Sequence, residues 1–274
     1  MNEEANLSAC LSSLSWCDDI VVLDSGSSDR TLDIARAHGA RIITRPFDNF
    51  ANQRNFGLDC GQFRHAWVLH LDADEISTPD FRAAISSLVP VDGVDAYNIP
   101  SKMMLFGRWM KHAGMYPAYQ VRLGHRDRLR FLQVGHGQQE DLPPERLRVL
   151  DVPYLHYSFS HGLFDWLQKH TRYARDEAAL IEQCRQQGVA LPVGHGQTSL
   201  RRWAKANAAR LPVAARPALR FFYVYFLKQG FRDGRAGFAY ALMLAVYEGM
   251  TAVLVLEAAL ERSAVLMAPR MPPD

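Results

Sequence analysis

Short apolar runs rich in β-branched residues recur along the first part of the chain, at residues 18–24, 40–44 and 67–71. Runs of this length are typical of strands. The polar residues 25–28 favour a tight turn, and the apolar positions that follow over residues 29–38 have helical spacing. Because strands and helices alternate in this way, we expect an α/β fold with a mostly parallel sheet flanked by helices.

Carboxylates end two of these predicted strands, Asp24 the first and Asp72 and Asp74 the third. In open parallel sheets, ligands bind beyond the carboxyl ends of the strands. Alternate residues of an extended segment point to the same side, so Asp72 and Asp74 can face one cation or its water shell. Mg²⁺ and Mn²⁺ prefer oxygen ligands and are commonly held by one or two carboxylates and substrate phosphates. The pair therefore indicates phosphate chemistry, with a solvated turn as the alternative.

Four motifs follow one another over the first 75 residues. They are Asn2-Glu3-Glu4, Val21-Val-Leu-Asp24-Ser-Gly-Ser-Ser-Asp29-Arg-Thr31, Gln53-Arg54-Asn55-Phe-Gly57 and Leu71-Asp72-Ala-Asp74-Glu75. Together they resemble the inverting family 2 glycosyltransferases. The resemblance implies the Rossmann-like, nucleotide-sugar-binding fold called GT-A and the transfer of a sugar from a nucleotide donor.

The resemblance also implies roles for single residues in binding the nucleotide sugar. Glu3 and Asp24 would contact the base and the ribose, and Arg54 or Asn55 would line the same pocket. Asp72 would contact the nucleotide as well. The alternatives are a surface acid at a helix start for Glu3 and an exposed turn residue for Arg54.

By the same resemblance, a Mg²⁺ or Mn²⁺ ion would be bound by Asp72 and Asp74. His156 follows the apolar pair Tyr154 and Leu155 and would supply a further metal ligand. A histidine buried in the core is the alternative for His156.

An acidic pair, Glu140 and Asp141, follows the Gly-rich segment that contains His136. Inverting sugar transfer needs a base that takes the proton of the acceptor hydroxyl. Glu140 matches by position the acid that related transferases place after the acceptor-binding segment, so it is the candidate base. Asp141 is the adjacent rival, and an ordinary loop acid is the alternative.

Members of the family begin with a buried strand just before the Asn-Glu-Glu segment, and this sequence has that segment directly after Met1. A central strand cannot be lost without leaving backbone groups of its neighbours unpaired. We therefore expect the natural protein to extend upstream by a short apolar strand.

The strand and helix pattern of the first half of the chain gives way to helical patterns in the second half. We expect a nucleotide-sugar-binding and catalytic domain at residues 1–155 and a helical region at residues 156–274. A helix is predicted after the turn at Gly162. The segments 155–178 and 226–237 resemble the C-terminal region of the bacterial branch that includes lipopolysaccharide-core glucosyltransferases and exopolysaccharide transferases. The resemblance implies a lipid-linked or lipopolysaccharide acceptor.

Net charge is only +2, and we expect no nucleic-acid partner. Residues 200–235 nevertheless contain a single acid, Asp233, against nine basic residues: Arg201, Arg202, Lys205, Arg210, Arg216, Arg220, Lys228, Arg232 and Arg235. These are interleaved with Trp203 and the apolar run 221–227, a combination suited to the surface of an anionic membrane. The alternative is a packed helical subdomain with a solvated basic face.

Residues 237–260 are mostly apolar, but Glu248 and Glu257 interrupt them, and a carboxylate at bilayer depth costs a few kcal/mol. A monotopic or packed helix is therefore favoured over a membrane span. The four cysteines have no zinc or redox spacing, as expected for a reducing compartment. We expect a cytoplasmic protein, peripheral to the inner membrane.

The sequence thus predicts a metal-dependent, inverting hexosyltransferase with a UDP-linked donor. A nucleotidyltransferase also uses acidic strand ends and a metal, but no Gly-rich, Lys-bearing phosphate loop is present near the start. A non-catalytic, membrane-associated polysaccharide assembly protein that keeps the fold is the other alternative.

Overall fold

A computed structural model describes residues 1–134, 137–187 and 212–267, with side chains described up to residue 262. The chain divides into two compact units. Unit 1 contains Met1–Lys111 and Met115–Ser160, and unit 2 contains His112–Gly114 and His161–Asp274. Unit 1 mixes helices with strands, and the described part of unit 2 is helical, so the predicted α/β class with a helical C-terminal region is confirmed.

Unit 1 contains four α-helices and eleven strands within the described residues. In chain order they are α1 Leu7–Ser13, β1 Val21–Asp24, α2 Thr31–Ala37, β2 Arg41–Thr44, α3 Phe50–Cys60, β3 Trp67–Leu69, β4 Glu75–Ile76, α4 Pro79–Ser86, β5 Ala96–Leu105, β6 Arg108–Trp109, β7 Ala118–His125, β8 Phe131–Val134, β9 Gly137–Glu140, β10 Leu147–Val149 and β11 Tyr154–His156. The three apolar runs predicted as strands are β1, β2 and β3, and the helix predicted after the first is α2. These local predictions are confirmed.

Strand directions in the larger sheet are mixed. Its order is β3-β7-β5-β11-β4, and β6 and β10 also pair with β5. Strands β10 and β11 run parallel to β5, whereas the β5–β7, β3–β7 and β4–β11 pairs are antiparallel. The expectation of a mostly parallel sheet is therefore wrong for this sheet and right for β1 and β2, which pair in parallel as a separate two-stranded sheet. After α4, β7 returns beside β5 as an antiparallel neighbour, whereas β10 and β11 reach β5 in parallel through longer connections.

Helices α3 and α4 pack against apolar residues of the larger sheet. Ala51 and Leu58 of α3 belong to one core cluster with Ala96 of β5. Phe81 of α4 belongs to a second cluster with Tyr97. Because consecutive strand residues point to opposite sides, Ala96 and Tyr97 anchor helices on opposite faces of the sheet. With both faces covered, the strand ends are the part of the sheet available to ligands.

Strands β1 and β3 each pair on one side only, β1 with β2 and β3 with β7. A cavity of about 1000 Å³ lies between them and is lined by all residues of both strands. The cavity reaches the carboxyl ends of the two strands, where the predicted site residues lie.

Unit 2 is built around one long helix. Its helices are α5 Leu163–Gln187, α6 Arg216–Phe222 and α7 Gly234–Met267, with a π-helical turn at Tyr223–Leu227 and a 3₁₀ turn at Gly230–Asp233 before α7. Helices α5 and α6 both pack against α7. The segment Gly230–Arg262 is long and apolar enough to cross a membrane by length and composition, and its most apolar stretch of 18 residues has a mean hydropathy of 1.8. Basic residues 201, 202, 205 and 210, together with Trp203, lie outside the described residues.

Candidate active site

Five residues singled out in the sequence line the cavity between β1 and β3. They are Glu3, Asp24, Arg54, Asp72 and Asp74. Asp24 ends β1, Arg54 lies on α3, and the two aspartates follow β3. The carboxyl ends of two strands thus bring three acids to the cavity, α3 brings Arg54, and the segment before α1 brings Glu3.

Asp24 shapes the turn that follows β1. Its Oδ2 accepts hydrogen bonds from the backbone N–H groups of Gly26, at 2.7 Å, and Ser27, at 2.8 Å, and its Oδ1 accepts one from the Ser27 hydroxyl. Gly26 has φ of 90°, a left-handed conformation that glycine adopts without strain. Burial raises the pKa of Asp24, but the hydrogen bonds outweigh it, so the pKa is lowered. The carboxylate is therefore held ionised at the edge of the cavity.

The segment before α1 is docked on the same turn. The backbone N–H of Asn2 donates to Ser27 Oγ and that of Glu3 donates to Thr31 Oγ1, both at 2.8 Å. Helix α1 begins at Leu7, so Glu3 lies in the preceding turn and not in the helix. Its Oε2 accepts a hydrogen bond from Asn6 Nδ2 at 2.7 Å. This places Glu3 beside the Asp24 turn on the wall of the cavity.

Asp72 and Asp74 lie in a tight turn between β3 and β4, not on an extended segment as predicted. The N–H of Glu75 donates to the carbonyl of Asp72 at 3.0 Å, and the N–H of Asp72 donates to Glu75 Oε2 at 2.8 Å. The two aspartates consequently have different partners, and the alternation argument made from the sequence does not apply to them.

Two guanidinium groups bind the carboxylate of Asp72. Arg54 Nη2 is 3.1 Å from Oδ1 and Arg122 Nη2 is 3.0 Å from Oδ2. Burial raises the pKa of Asp72, but the positive charges of Arg122 and Arg54 outweigh it and hold the pKa far below its usual range. Asp72 is 52% exposed, so its charge is compensated by the arginines while one side still faces solvent.

Arg122, on β7, was not identified from the sequence, and it connects three parts of the site. Its side chain is only 2% exposed, and besides Asp72 it binds Glu75 and, through Nε at 2.9 Å, the hydroxyl of Tyr154. Glu75 is fully buried, and burial raises its pKa to about 7. The one signal in the sequence was an arginine between Val121 and Leu123 in an apolar strand, a position where an isolated charge is costly unless it is paired.

Asp74 pairs with His156 at the end of β11. Asp74 Oδ2 is 3.3 Å from His156 Nε2, and Glu75 Oε1 lies 3.9 Å from His156 Nδ1. Burial lowers the pKa of His156, but the hydrogen bond to Asp74 and the charges of the nearby acids raise it above the ordinary value. The structure therefore brings together two of the three predicted metal ligands and turns Asp72 towards the arginines.

No group of three metal-binding side chains occurs among the described residues. Asp74 and His156, each about one-quarter exposed, can nevertheless offer one oxygen and one nitrogen to the same ion. Cations such as Mg²⁺ usually keep several waters and take one or two protein carboxylates plus phosphate oxygens. The residues present fit such a partly open site and do not fit a closed site made of protein alone.

Asn55 fixes α3 to β8. Its Nδ2 donates to the carbonyl of Phe131 and its Oδ1 accepts from the N–H of Phe131, both at 2.9 Å. The Phe131 ring in turn lies 5.7 Å from the Arg54 guanidinium. Both polar atoms of the Asn55 amide therefore bond to the backbone of Phe131. Asn55 contributes to the cavity by positioning α3, the helix that carries Arg54.

Glu140 ends β9 and lies opposite Phe131 in the two-stranded pair of β8 and β9. The N–H of Asp141 donates to the carbonyl of Arg130 at 2.8 Å, which extends the pairing by one residue. Directly opposed residues of an antiparallel pair share a face, so Glu140 lies on the same face as the ring that contacts Arg54. Neither Glu140 nor Asp141 is among the described residues that line the cavity, and His136 lies outside the described residues.

The arrangement suits an anionic, hydroxyl-rich ligand with a bound cation. The side-chain oxygens of Asp24 and Glu3 can accept hydrogen bonds from hydroxyl and N–H groups, and Arg54 supplies a cation in the same cavity. Asp74 and His156, 3.3 Å apart, can both contact a divalent ion beside these groups.

Known proteins with related sequences point to one family. Residues 1–131 match the family described as "Glycosyl transferase family 2". A lipopolysaccharide core biosynthesis glycosyltransferase, LpsC of Rhizobium meliloti, is 29% identical over a stretch that covers 51% of this chain and 50% of that protein. An uncharacterized glycosyltransferase of Rickettsia typhi is 30% identical over 35% of this chain and 32% of its own length. The chain therefore aligns with half or less of the length of these curated relatives.

Solved structures to which the chain is similar include glucosyl-3-phosphoglycerate synthase from Mycobacterium tuberculosis, in complex with Mn²⁺, uridine diphosphate and glucosyl-3-phosphoglycerate. The similarity is 20% in sequence, with a TM-score of 0.41, and covers 57% of this chain and 69% of that chain.

Proposed function

We propose that this chain, whose residues 1–131 match the family 2 glycosyl transferases, transfers a hexose from a nucleotide sugar to a lipid-linked or lipopolysaccharide acceptor. The donor is UDP-linked, and transfer inverts the configuration of the anomeric carbon. The similarity to a lipopolysaccharide core biosynthesis glycosyltransferase supports this class of acceptor.

One observation carries the proposal. Glu3, Asp24, Arg54, Asp72 and Asp74 come from four separate motifs and line a single cavity of about 1000 Å³. They form its polar part, near the carboxyl ends of β1 and β3, whereas much of the remaining lining consists of apolar side chains of α1 and the two strands. Glu3 and Asp24 would accept hydrogen bonds from the base and the ribose, and Arg54, held by Asp72, would face the diphosphate.

A divalent cation, Mg²⁺ or Mn²⁺, would be held by Asp74 and His156 and, when bound, would offset the negative charge of the departing diphosphate. Arg54 lines the same cavity, and its positive charge would also stabilise the departing diphosphate. Glu75, buried beside Arg122, lies 3.9 Å from Nδ1 of His156, so its negative charge favours an imidazole ring with that nitrogen turned towards it.

Glu140 would act as the base. The acceptor oxygen forms a bond to the anomeric carbon while the bond from that carbon to the diphosphate oxygen breaks, and the hydroxyl proton passes to the carboxylate. A single displacement of this kind inverts the configuration. Support comes from the pairing of Glu140 with Phe131, whose ring contacts Arg54 of the donor cavity.

We place the reaction at the cytoplasmic face of the inner membrane, where the protein would be peripheral. The apolar segment Gly230–Arg262 and the basic residues before it support association with anionic lipid.

The test is release of UDP by the purified protein with a panel of nucleotide sugars and a lipid-linked acceptor, in Mn²⁺ or in EDTA. We expect release from one donor that depends on the metal. A folded protein that binds none of the nucleotides, measured by calorimetry, would contradict the proposal independently of the choice of acceptor.

Variants separate the roles in the same assay. Glu140→Gln should lower turnover by about 10²–10⁴-fold with donor affinity nearly unchanged, because only the proton transfer is affected. Asp141→Asn is its matched control and should keep turnover. Asp74→Asn should weaken Mn²⁺-dependent binding of UDP instead. If Glu140→Gln turned over as fast as wild type, Glu140 would not be the catalytic base.

A further inference from the structure

The turn between α6 and α7 exposes a contiguous group of aromatic rings. The ring of Tyr225 lies 5.1 Å from that of Phe226, 6.3 Å from Phe231 and 5.7 Å from Phe238. The rings of Phe222 and Phe226 lie 5.1 Å apart and are tilted by 36°. We call the exposed phenylalanines of this group, together with the exposed Leu227 next to Phe226, the aromatic patch: Phe222 52%, Phe226 48%, Leu227 66%, Phe231 49% and Phe238 47% exposed.

The backbone beneath the aromatic patch is held in place by packing and hydrogen bonds. Val224, in the middle of the π-helical turn, is only 1% exposed, and Gly230 packs so closely that a Cβ there would lie 2.7 Å from the Val224 carbonyl oxygen. Asp233, at the end of the 3₁₀ turn, accepts hydrogen bonds from the N–H groups of His112 and Ala113 at 2.9 and 2.7 Å. The π-helical turn therefore buries Val224 and exposes the neighbouring Phe226 and Leu227 to solvent. Single π-helical turns are frequent at functional sites.

Exposed charge around the patch is positive. Asp233 is the only acid between residues 212 and 235, and it is 3% exposed with its carboxylate bound to backbone amides. Arg232 follows Phe231 directly, and Arg235 lies one helical turn before Phe238 on α7. Rings and cations therefore alternate on this side of unit 2.

The apolar face continues along α7. Phe238, Leu242 and Val246 are spaced by four residues and are 47%, 48% and 41% exposed. Residues with this spacing share one face of a helix. The exposed apolar surface consequently extends over more than two turns beyond the patch.

We propose that the aromatic patch is a membrane-docking surface that inserts among the headgroups of an anionic lipid bilayer, with Arg232 and Arg235 contacting the headgroups. Large contiguous apolar surfaces on a protein mark interaction sites, and rings flanked by cations fit the interface of a bilayer. The inference deepens the proposed function, because a lipid-linked acceptor lies in the same bilayer, and it identifies which surface meets the lipid.

The test is co-sedimentation of the full chain with phosphatidylcholine vesicles that contain phosphatidylglycerol. Phe226→Ser should weaken binding about tenfold, since a phenylalanine loses its burial in lipid. Phe164→Ser, at a 70% exposed phenylalanine of α5 outside the patch, is the matched control and should bind as wild type does. Circular dichroism confirms that both variants are folded, which is expected because both side chains face solvent.

A second variant tests the charge. Arg235→Gln should weaken binding to the phosphatidylglycerol vesicles about fivefold and leave binding to pure phosphatidylcholine unchanged, because each cation near an anionic surface contributes about 1 kcal/mol. The inference is overturned if the wild type binds neither kind of vesicle, or if Phe226→Ser binds as tightly as Phe164→Ser.

Calorimetric binding of UDP with Mn²⁺, without vesicles, separates this inference from the proposed function. Lipid binding that depends on Phe226, in a protein that binds no nucleotide, would keep the docking surface and refute the transferase. Nucleotide binding in a protein that ignores vesicles would do the opposite.

Discussion

At the residue scale, the candidate site depends on one buried arginine. Arg122 binds Asp72, Glu75 and Tyr154 at once, and its own side chain is 2% exposed. A buried guanidinium is tolerated only when acidic partners compensate its charge, and the buried carboxylate of Glu75 needs the guanidinium for the same reason. The position of the turn that carries Asp72 and Asp74 is therefore fixed by the neighbouring strand β7.

We predict that Arg122→Met lowers the free energy of unfolding by about 3–5 kcal/mol, because the buried carboxylate of Glu75 loses the guanidinium that compensates its charge. The double variant Arg122→Met/Glu75→Gln should recover a large part of this loss, since the uncompensated carboxylate is gone. Urea unfolding of both variants and of Glu75→Gln alone gives the coupling energy.

The same variants distinguish positioning from stability. In the double variant we expect Mn²⁺-dependent UDP binding to stay about 10–100-fold weaker than in wild type, because Asp72 and His156 have lost the groups that orient them. Arg128→Met, which removes an arginine from a different carboxylate, Asp95, is the control and should bind UDP normally. Normal UDP binding by the double variant would contradict the positioning role of Arg122.

At the element scale, the junction before α7 depends on two glycines. A Cβ on Gly237 would lie 1.9 Å from the carbonyl oxygen of Gly230, a distance that no side chain tolerates. The first turn of α7 thus approaches the 3₁₀ turn of Gly230–Asp233 backbone to backbone. This contact holds the base of the aromatic patch.

Gly237→Ala should therefore lower the free energy of unfolding by about 1–3 kcal/mol or more, since the backbone must move to admit the methyl group. Gly249→Ala in the same helix is the matched control. Its Cβ would meet nothing nearer than 3.8 Å, so the higher helix propensity of alanine should raise stability by about 0.5–1 kcal/mol. Thermal unfolding of both variants decides, and a stabilised Gly237→Ala would contradict the close approach.

At the scale of the whole molecule, buried aspartates tie distant parts of unit 1 together. Asp95, before β5, binds Arg146 and Arg128, and Asp19, before β1, binds Arg41 at 2.6 Å. The hydrogen bond from Arg146, assisted by Arg128, lowers the pKa of Asp95. Burial raises the pKa of Asp19, but the amide of Arg64 and the pair with Arg41 lower it further than burial raises it. Both carboxylates are thus stabilised in the ionised form by folding.

Stability should consequently fall on the acid side. A carboxylate with a lower pKa in the folded than in the unfolded state contributes stability above the unfolded value, near pH 4, and loses it as the pH falls through the folded value. Asp95→Asn should cost about 1–3 kcal/mol at neutral pH, and its difference from wild type should shrink in acid. Urea unfolding as a function of pH tests this.

Asp127→Asn removes a carboxylate of the same region that is 67% exposed and is the control, with no expected effect at any pH. A difference between Asp95→Asn and wild type that stays constant into acid would show that the Asp95 carboxylate contributes no pH-dependent stability.

Local sequence was sufficient for strands β1, β2 and β3, for helix α2 and for the acids that follow the strands, because apolar runs and turn residues lie within a few positions of one another. It did not show that the backbone of Asn2 and Glu3 is docked on Ser27 and Thr31. The direction of the strands in the larger sheet was not encoded locally either, since β5 pairs with β7, β10 and β11 from later in the chain.

The sequence by itself determined which residues are strands and helices near the start, and which carboxylates, Asp24, Asp72 and Asp74, lie where strands end. Only the tertiary structure decided their partners: Asp72 pairs with Arg54 and Arg122, and Asp74 pairs with His156. The physical reason is distance along the chain. Periodicity and turn chemistry act over a few residues, whereas Arg122 reaches Asp72 across a separation of 50 residues, through a sheet order that no local pattern specifies.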